Sequence, residues 1–137
     1  MAADTQITGD FIVRAQKIVR LPDGGVAGAT GIWSRCYAGL RWLADGEQGE
    51  PPKIKGATLL IAKADGSLWL AEHEFPAYPL LDKYTAVGAG AMAAMAAMNG
   101  GASAGDAVKA AVRLDAYTSD PIQMLKIEPK KKPARKR

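Results

Sequence analysis

Lys17 is the first residue whose type and place in the chain could do chemistry. If the stretch around it is a strand, alternation puts Lys17 on the face of Val19 and Leu21, while Gln16, Ile18 and Arg20 take the other face. An ammonium among apolar neighbours calls for a counter-charge, and Asp4, in the strand-like segment before it, can supply one. A partly desolvated lysine beside a carboxylate is a device for activating a nucleophile; a strand lysine can also run its apolar stem along the core and reach water. Asp115 poses the same question. It stands two helical turns after Val108, so it points where Val108 and Val112 point, close to a helix C-terminus where a negative charge is disfavoured by ~0.3–1 kcal/mol. Either it has a partner, or the helix frays there and solvent takes it. Gly28 and Gly31 place flexible backbone at a strand-to-helix junction, where free amides can hold developing negative charge. His73 is the only histidine and Cys36 the only cysteine, so neither a His/Cys metal site nor a histidine-based triad can be built from this chain.

The elements that must position these residues can be read from periodicity and turn chemistry. Residues 1–8 are strand-like, Gly9 and Asp10 make a turn, and 11–21 resume as a strand with Ile12, Val13, Ile18, Val19 and Leu21. Pro22, Asp23, Gly24 and Gly25 predict a tight hairpin turn into a short strand over 26–30, so the opening third reads as a β-meander. After Gly31, the residues Trp33, Cys36, Tyr37, Leu40 and Leu43 recur at three- and four-residue intervals and predict an amphipathic helix. Residues 57–62 and 67–71, joined through Asp65 and Gly66, predict a β-hairpin, and 84–87 another strand. Residues 89–99, almost all Ala, Gly and Met, predict a helix whose Met92, Met95 and Met98 fill gaps in a close helix contact. Ser103 followed by Asp106 has the spacing of a capping box, opening a helix with Val108, Ala111, Val112 and Asp115 on one stripe. Residues 121–127 predict a last strand. Strands, helix, strands, two helices and a strand make an α+β layered domain.

At 137 residues the chain fits one domain, placed at 1–128, followed by a basic, disordered tail at 129–137. That tail holds Lys130, Lys131, Lys132, Arg135, Lys136 and Arg137, which account for the formal charge of +4; the remainder is mildly acidic. Nucleic-acid binding is therefore expected only as weak, salt-sensitive contact through the tail. No apolar run reaches the ~20 residues that would span a bilayer, and no secretory signal opens the chain, so a soluble cytoplasmic protein is expected. Cys36, between Trp33 and Leu40, reads as core.

The order of elements, together with residues 1–6 (MAADTQ), 15–18 (AQKI) and 28–31 (GATG), resembles the proteasome β-type and HslV-type peptidase subunits of the N-terminal-nucleophile hydrolase family. Residues 84–91 resemble that family's glycine-containing strand-to-helix turn, and 102–125 its last helix and strand. The resemblance spans about nine-tenths of the chain and implies a four-layer αββα sandwich that assembles into rings. It implies catalysis by an N-terminal threonine whose own amine acts as base, on a strand immediately before the one carrying Asp4. Lys17 resembles the lysine that lowers the nucleophile's pKa, Asp4 the carboxylate beside it, Gly31 the donor of an oxyanion-hole amide, and Asp115 the carboxylate that helps orient the nucleophile.

Two departures from the family pattern bear on activity. Ala89 stands where a serine is common, and the serine expected after Asp115 is represented by Thr118 or Ser119. No threonine-initiated strand precedes Met1, and Thr5 and Thr8 lie on the wrong side of Asp4 to replace it. The expectation is thus a threonine-peptidase-like subunit without its nucleophile strand and inactive as written, or alternatively a non-catalytic structural subunit of such a ring, of the small kind found in bacteria and phage. Neither cofactor nor metal is expected. The partners implied are copies of itself, peptide or unfolded protein substrate in an active form, and an ATP-dependent unfoldase.

Overall fold

The computed structural model describes residues 1–8, 12–115, 117–119 and 122–128. The turn expected at Gly9 and Asp10, Phe11 and Pro121 at the ends of expected strands, and the tail at 129–137 lie outside the described residues. Each of the first two expected strands is divided. Residues 1–8 form β1 (Ala2–Ala3) and β2 (Gln6–Thr8), and the next stretch forms β3 (Ile12–Arg14) and β4 (Ile18–Arg20). Asp4 and Lys17 fall in the two breaks, so strand alternation does not govern either side chain. The meander is divided as well: β2 pairs with β3 as a separate two-stranded ribbon, whereas β4 joins the main sheet.

After β4, a hairpin leads into β5 (Val26–Gly31). Its turn is closed by Asp23, whose Oδ1 accepts from Gly25 N at 2.7 Å, while Leu21 N donates to Gly25 O at 2.9 Å. Helix α1 (Trp33–Ala44) follows, then β6 (Ala57–Ala62), β7 (Leu68–Glu72) and β8 (Tyr78–Leu80). Strands β4 to β8 form one antiparallel sheet in chain order. Strand β8 was not legible in the sequence: Pro79 within YPL argues against a strand, and the structure accommodates it on an edge.

Alternation along β6 separates the two faces of this sheet. Ala57, Leu59 and Ile61 pack with Ala27, Ala29, Cys36, Leu40, Leu43 and Ile54 beneath α1, while Leu60 and Ala62 face the other way. Gly39 lets α1 lie close, since a Cβ there would come within 2.7 Å of Leu59 Cδ2. Tyr37, expected on the buried stripe, is instead 56% exposed, because the face that meets the sheet is centred on Cys36, Gly39, Leu40 and Leu43, and Tyr37 lies off its edge.

The opposite side of the sheet is covered by α2 (Ala91–Asn99), α3 (Ala104–Leu114) and a two-stranded pairing of β1 with β9 (Gln123–Met124). Ser103 caps α3 as its spacing predicts, Oγ accepting from Asp106 N at 3.2 Å. Helix α2 packs against α3, and α3 against β1. The methionines do not all fill gaps: Met92 is 88% exposed, since α2 uses mainly its alanines for contact. The last expected strand shrinks to Gln123–Met124, and 84–87 enter no ladder. The layer order is therefore helix, sheet, sheet, helices. No helix among the described residues is long and apolar enough to cross a membrane.

Burial beneath α1 pushes the Cys36 thiol up to about 11. The thiolate is the reactive form, so Cys36 of the native chain should resist alkylation at pH 8 and react promptly once urea unfolds the protein. Mass spectrometry after timed treatment with iodoacetamide checks this.

Candidate functional site

The site is built on the two strand breaks. Lys17 Nζ lies 2.7 Å from Asp4 Oδ1, with the two side chains only 16% and 11% exposed. The other carboxylate oxygen, Oδ2, accepts from Gln6 N and from Ser119 N, each at 3.1 Å. A buried carboxylate needs such partners, because an ion withdrawn from water without them costs several kcal/mol. Asp4 thus joins the N-terminal segment, the break before β4 and the loop after α3.

Gln123, on β9, holds the same place from the other side. Its Oε1 accepts from Lys17 N at 2.8 Å and more distantly from Ile18 N at 3.4 Å, and its Nε2 donates to Ala15 O at 2.9 Å and Asp4 O at 3.3 Å. The sequence reading missed this residue, and no local signal could have found it, since all four partners lie more than 100 positions away.

Gly31 ends β5. Its partner across the ladder is Ala57, and the bond from Ile32 N to Gly56 O at 2.9 Å marks this as a non-hydrogen-bonded pair. The Gly31 N–H therefore points away from β6, toward the flank on which β4 has already ended, beyond Ile18 paired with Gly28. Gly31 has φ +115°, and a Cβ on it would sit 2.2 Å from Gly56 O, so no other residue fits there without movement.

Asp115 closes α3 and does not meet Asp4 or Lys17 directly. Its Oδ2 accepts from Thr118 Oγ1 at 2.6 Å, which shapes the turn whose next residue, Ser119, donates to Asp4. Of the two hydroxyl residues foreseen in this loop, Thr118 serves Asp115 and Ser119 adjoins the ion pair. Thr5 Oγ1 and Ser119 Oγ are buried and have no hydrogen-bond partner among the described residues.

Asp4, Lys17 and Gly31 open on one cavity of about 830 Å³ between the main sheet and the second layer. Its floor includes Leu60, Ala62 and Leu68 of the main sheet, its roof includes Ala94 and Ala107, and Ala2–Ala3 and residues 84–87 border it. It falls within the size range of ligand pockets, and its charged groups gather around Asp4 and Lys17, apart from Lys83. Among the described residues the only sheet partner of β1 is β9.

No family model and no curated protein sequence matches the chain. Solved structures do. The chain is similar to BPH of Thiobacillus denitrificans in complex with epoxomicin, with TM-score 0.65 and 19% identity over 93% of this chain and 92% of that one. It is similar also to eukaryotic HslV from Trypanosoma brucei, with TM-score 0.66 and 19% identity over 89% and 88% of the two chains. The fold is that of the proteasome-like N-terminal-nucleophile hydrolases, as the sequence resemblance implied.

Two measurements check this geometry by urea unfolding. Asp4→Ala strips the Lys17 ammonium and two backbone amides of their acceptor and should cost about 3 kcal/mol. Gly31→Ala combines an unfavourable φ with a clash against Gly56 O and should cost about 2–4 kcal/mol, whereas Gly66→Ala, at φ +87° but in open space, should cost about 1 kcal/mol.

Proposed function

We propose that this chain is a proteasome-like subunit built for peptide hydrolysis by an N-terminal threonine, and that the groove between β1 and residues 84–87 receives the strand that delivers that threonine. The observation that carries this reading is the partly buried Lys17–Asp4 ion pair opening on the same cavity as Gly31. A threonine at that point would give its hydroxyl proton to its own amine while Oγ bonds to the substrate's carbonyl carbon. The Lys17 ammonium favours the anionic oxygen, the Gly31 N–H receives the negative charge that develops on the carbonyl oxygen, and Asp4 holds Lys17 in place. The peptide C–N bond then breaks, the leaving amine takes the proton, and water hydrolyses the ester to restore the hydroxyl. Asp115 acts at one remove, through Thr118 and the Ser119 loop.

On this reading the described residues supply the charge network and the wall of the site, and the threonine is delivered to them. Work in the cytoplasm on peptides or unfolded chains, self-association into a ring and service to an ATP-dependent unfoldase belong to the same proposal. Exposed Met92, Leu81 and Tyr117 favour self-association, since apolar groups gain by being covered. A second reading, a non-catalytic ring subunit, is favoured by Ala89, which brings a methyl rather than a hydroxyl to the cavity wall.

The test is to compare the 137-residue chain with a form extended ahead of Met1 by the strand its own gene locus encodes, processed to begin with threonine. The extended form should hydrolyse fluorogenic peptides and gain the mass of epoxomicin, the compound held by the Thiobacillus neighbour, while the 137-residue chain does neither. Lys17→Ala in the extended form should lower kcat by about 100-fold or more. Hydrolysis by the 137-residue chain would sink the proposal, and an extended form that folds yet stays inert would favour the non-catalytic reading.

A further inference from the structure

We infer that Gln123 is a positioning residue for Lys17, the side chain that makes the break before β4 and thereby turns the ammonium toward Asp4. The inference rests on the hydrolytic reading for its consequence in catalysis, but not for its structural content. Between Arg14 and Ile18 the chain leaves one ladder and has not yet entered the next: Ala15 N still reaches Thr5 O, but Ala15 O and Lys17 N are met by a side chain in place of a strand. A backbone group left unpaired away from water costs about as much as a lost hydrogen bond. The primary amide of Gln123 replaces the ladder: its oxygen takes Lys17 N, with a longer contact to Ile18 N, and its nitrogen serves Ala15 O.

The fourth contact gives the arrangement its purpose. The same Nε2 reaches Asp4 O, so one rigid amide sets the distance between the backbone that carries the lysine and the backbone that carries its carboxylate. An amide offers two donors and two acceptor lone pairs, and here all four are engaged. Neither a carboxylate, which donates nothing, nor a shorter Asn could reproduce the set. Gln123 itself is placed by the β1–β9 pairing, in which it stands opposite Ala3, the residue before Asp4. Thr5 N donates to Ser119 O at 3.4 Å and Ala15 N to Thr5 O at 2.9 Å, so the backbone around the pair is fastened from both neighbouring sides. The ion pair is left with little freedom to drift.

The experiment uses the 137-residue chain and two substitutions. Gln123→Met keeps the side-chain length and removes every hydrogen bond; Gln123→Glu keeps the acceptor for Lys17 N and Ile18 N and removes the donor. Lysine accessibility is read by timed acetylation followed by peptide mass spectrometry, with Lys109, whose side chain is 64% exposed, as the internal reference. Lys17 should react more slowly than Lys109 in the parent. Relative to Lys109 its rate should rise about fivefold in Gln123→Met, as expected when a hydrogen bond's worth of restraint is lost, with an intermediate rise in Gln123→Glu. If Gln123→Met does not fold, Gln123→Glu against the parent decides alone. A folded variant with lowered stability but an unchanged Lys17 rate would overturn the inference, since it would give Gln123 a purely structural role.

In the threonine-extended form the same substitution should lower kcat about tenfold with KM nearly unchanged, because a displaced lysine affects the reacting oxygen and not substrate capture. An extended parent without activity would strike at the hydrolytic reading, while the acetylation result would still decide the place of Gln123.

Discussion

A carboxylate that is only 11% exposed must have its charge answered from within the protein, and the way Asp4 is answered organises this chain. One oxygen faces the Lys17 ammonium; the other takes amides from Gln6 and from Ser119. These partners come from the start of the chain, from the entry to the main sheet and from the loop that follows the last helix. The ion pair can persist only if all three segments are in register, and the segments can meet only if the carboxylate is there to receive them. A buried pair of this kind gains little over a well-packed apolar substitute, so its retention is better understood through what it specifies than through what it stabilises.

The two sides of the main sheet are built differently. Beneath α1 the packing is close, with Leu40, Ile54, Leu59 and Cys36 almost wholly removed from water and Gly39 allowing near contact. On the other side, α2 and α3 pair with each other through small residues, β1 and β9 share only two residue pairs, and a cavity lies between. The well-packed half is the scaffold, and the open half holds the cavity on which Asp4, Lys17 and Gly31 open. Gly31 stands at the end of β5 on the cavity wall: it is a non-hydrogen-bonded partner of Ala57, so its N–H points away from β6, toward the flank that β4 leaves open. Loops held by a firm scaffold are the usual place for a site, because their polar backbone remains free to meet a ligand.

The residues that join the site follow a common pattern. Lys17 and Asp4 were suspected because charge is costly where apolar neighbours are expected, and that suspicion needs only composition and order. The reasoning about faces was wrong in detail, since both residues lie in breaks and not in strands. Asp115 was singled out for the same cost, yet it acts on the loop through Thr118 and does not touch the pair. Ser119 was foreseen only through the family resemblance, and Gln123 carried no signal at all. A polar side chain near the end of a chain reads as solvated unless one knows what lies against it.

Wherever the determining forces act between near neighbours, the sequence was sufficient. The helical stripe of Cys36, Leu40 and Leu43, the hairpin turn at Asp65 and Gly66, and the Ser103 cap follow from periodicity, backbone preference and reach over three or four residues. The likeness in element order implied the layered fold in the same way. Tertiary structure alone decided the division of the first strands, the edge strand at Tyr78–Leu80, the exposure of Met92, and the side to which the Gly31 amide points. It alone brought Gln123 to Lys17 across 106 positions. Those outcomes depend on which surfaces are free once the sheet has formed and on which distant groups can satisfy a buried charge, and no local pattern encodes either.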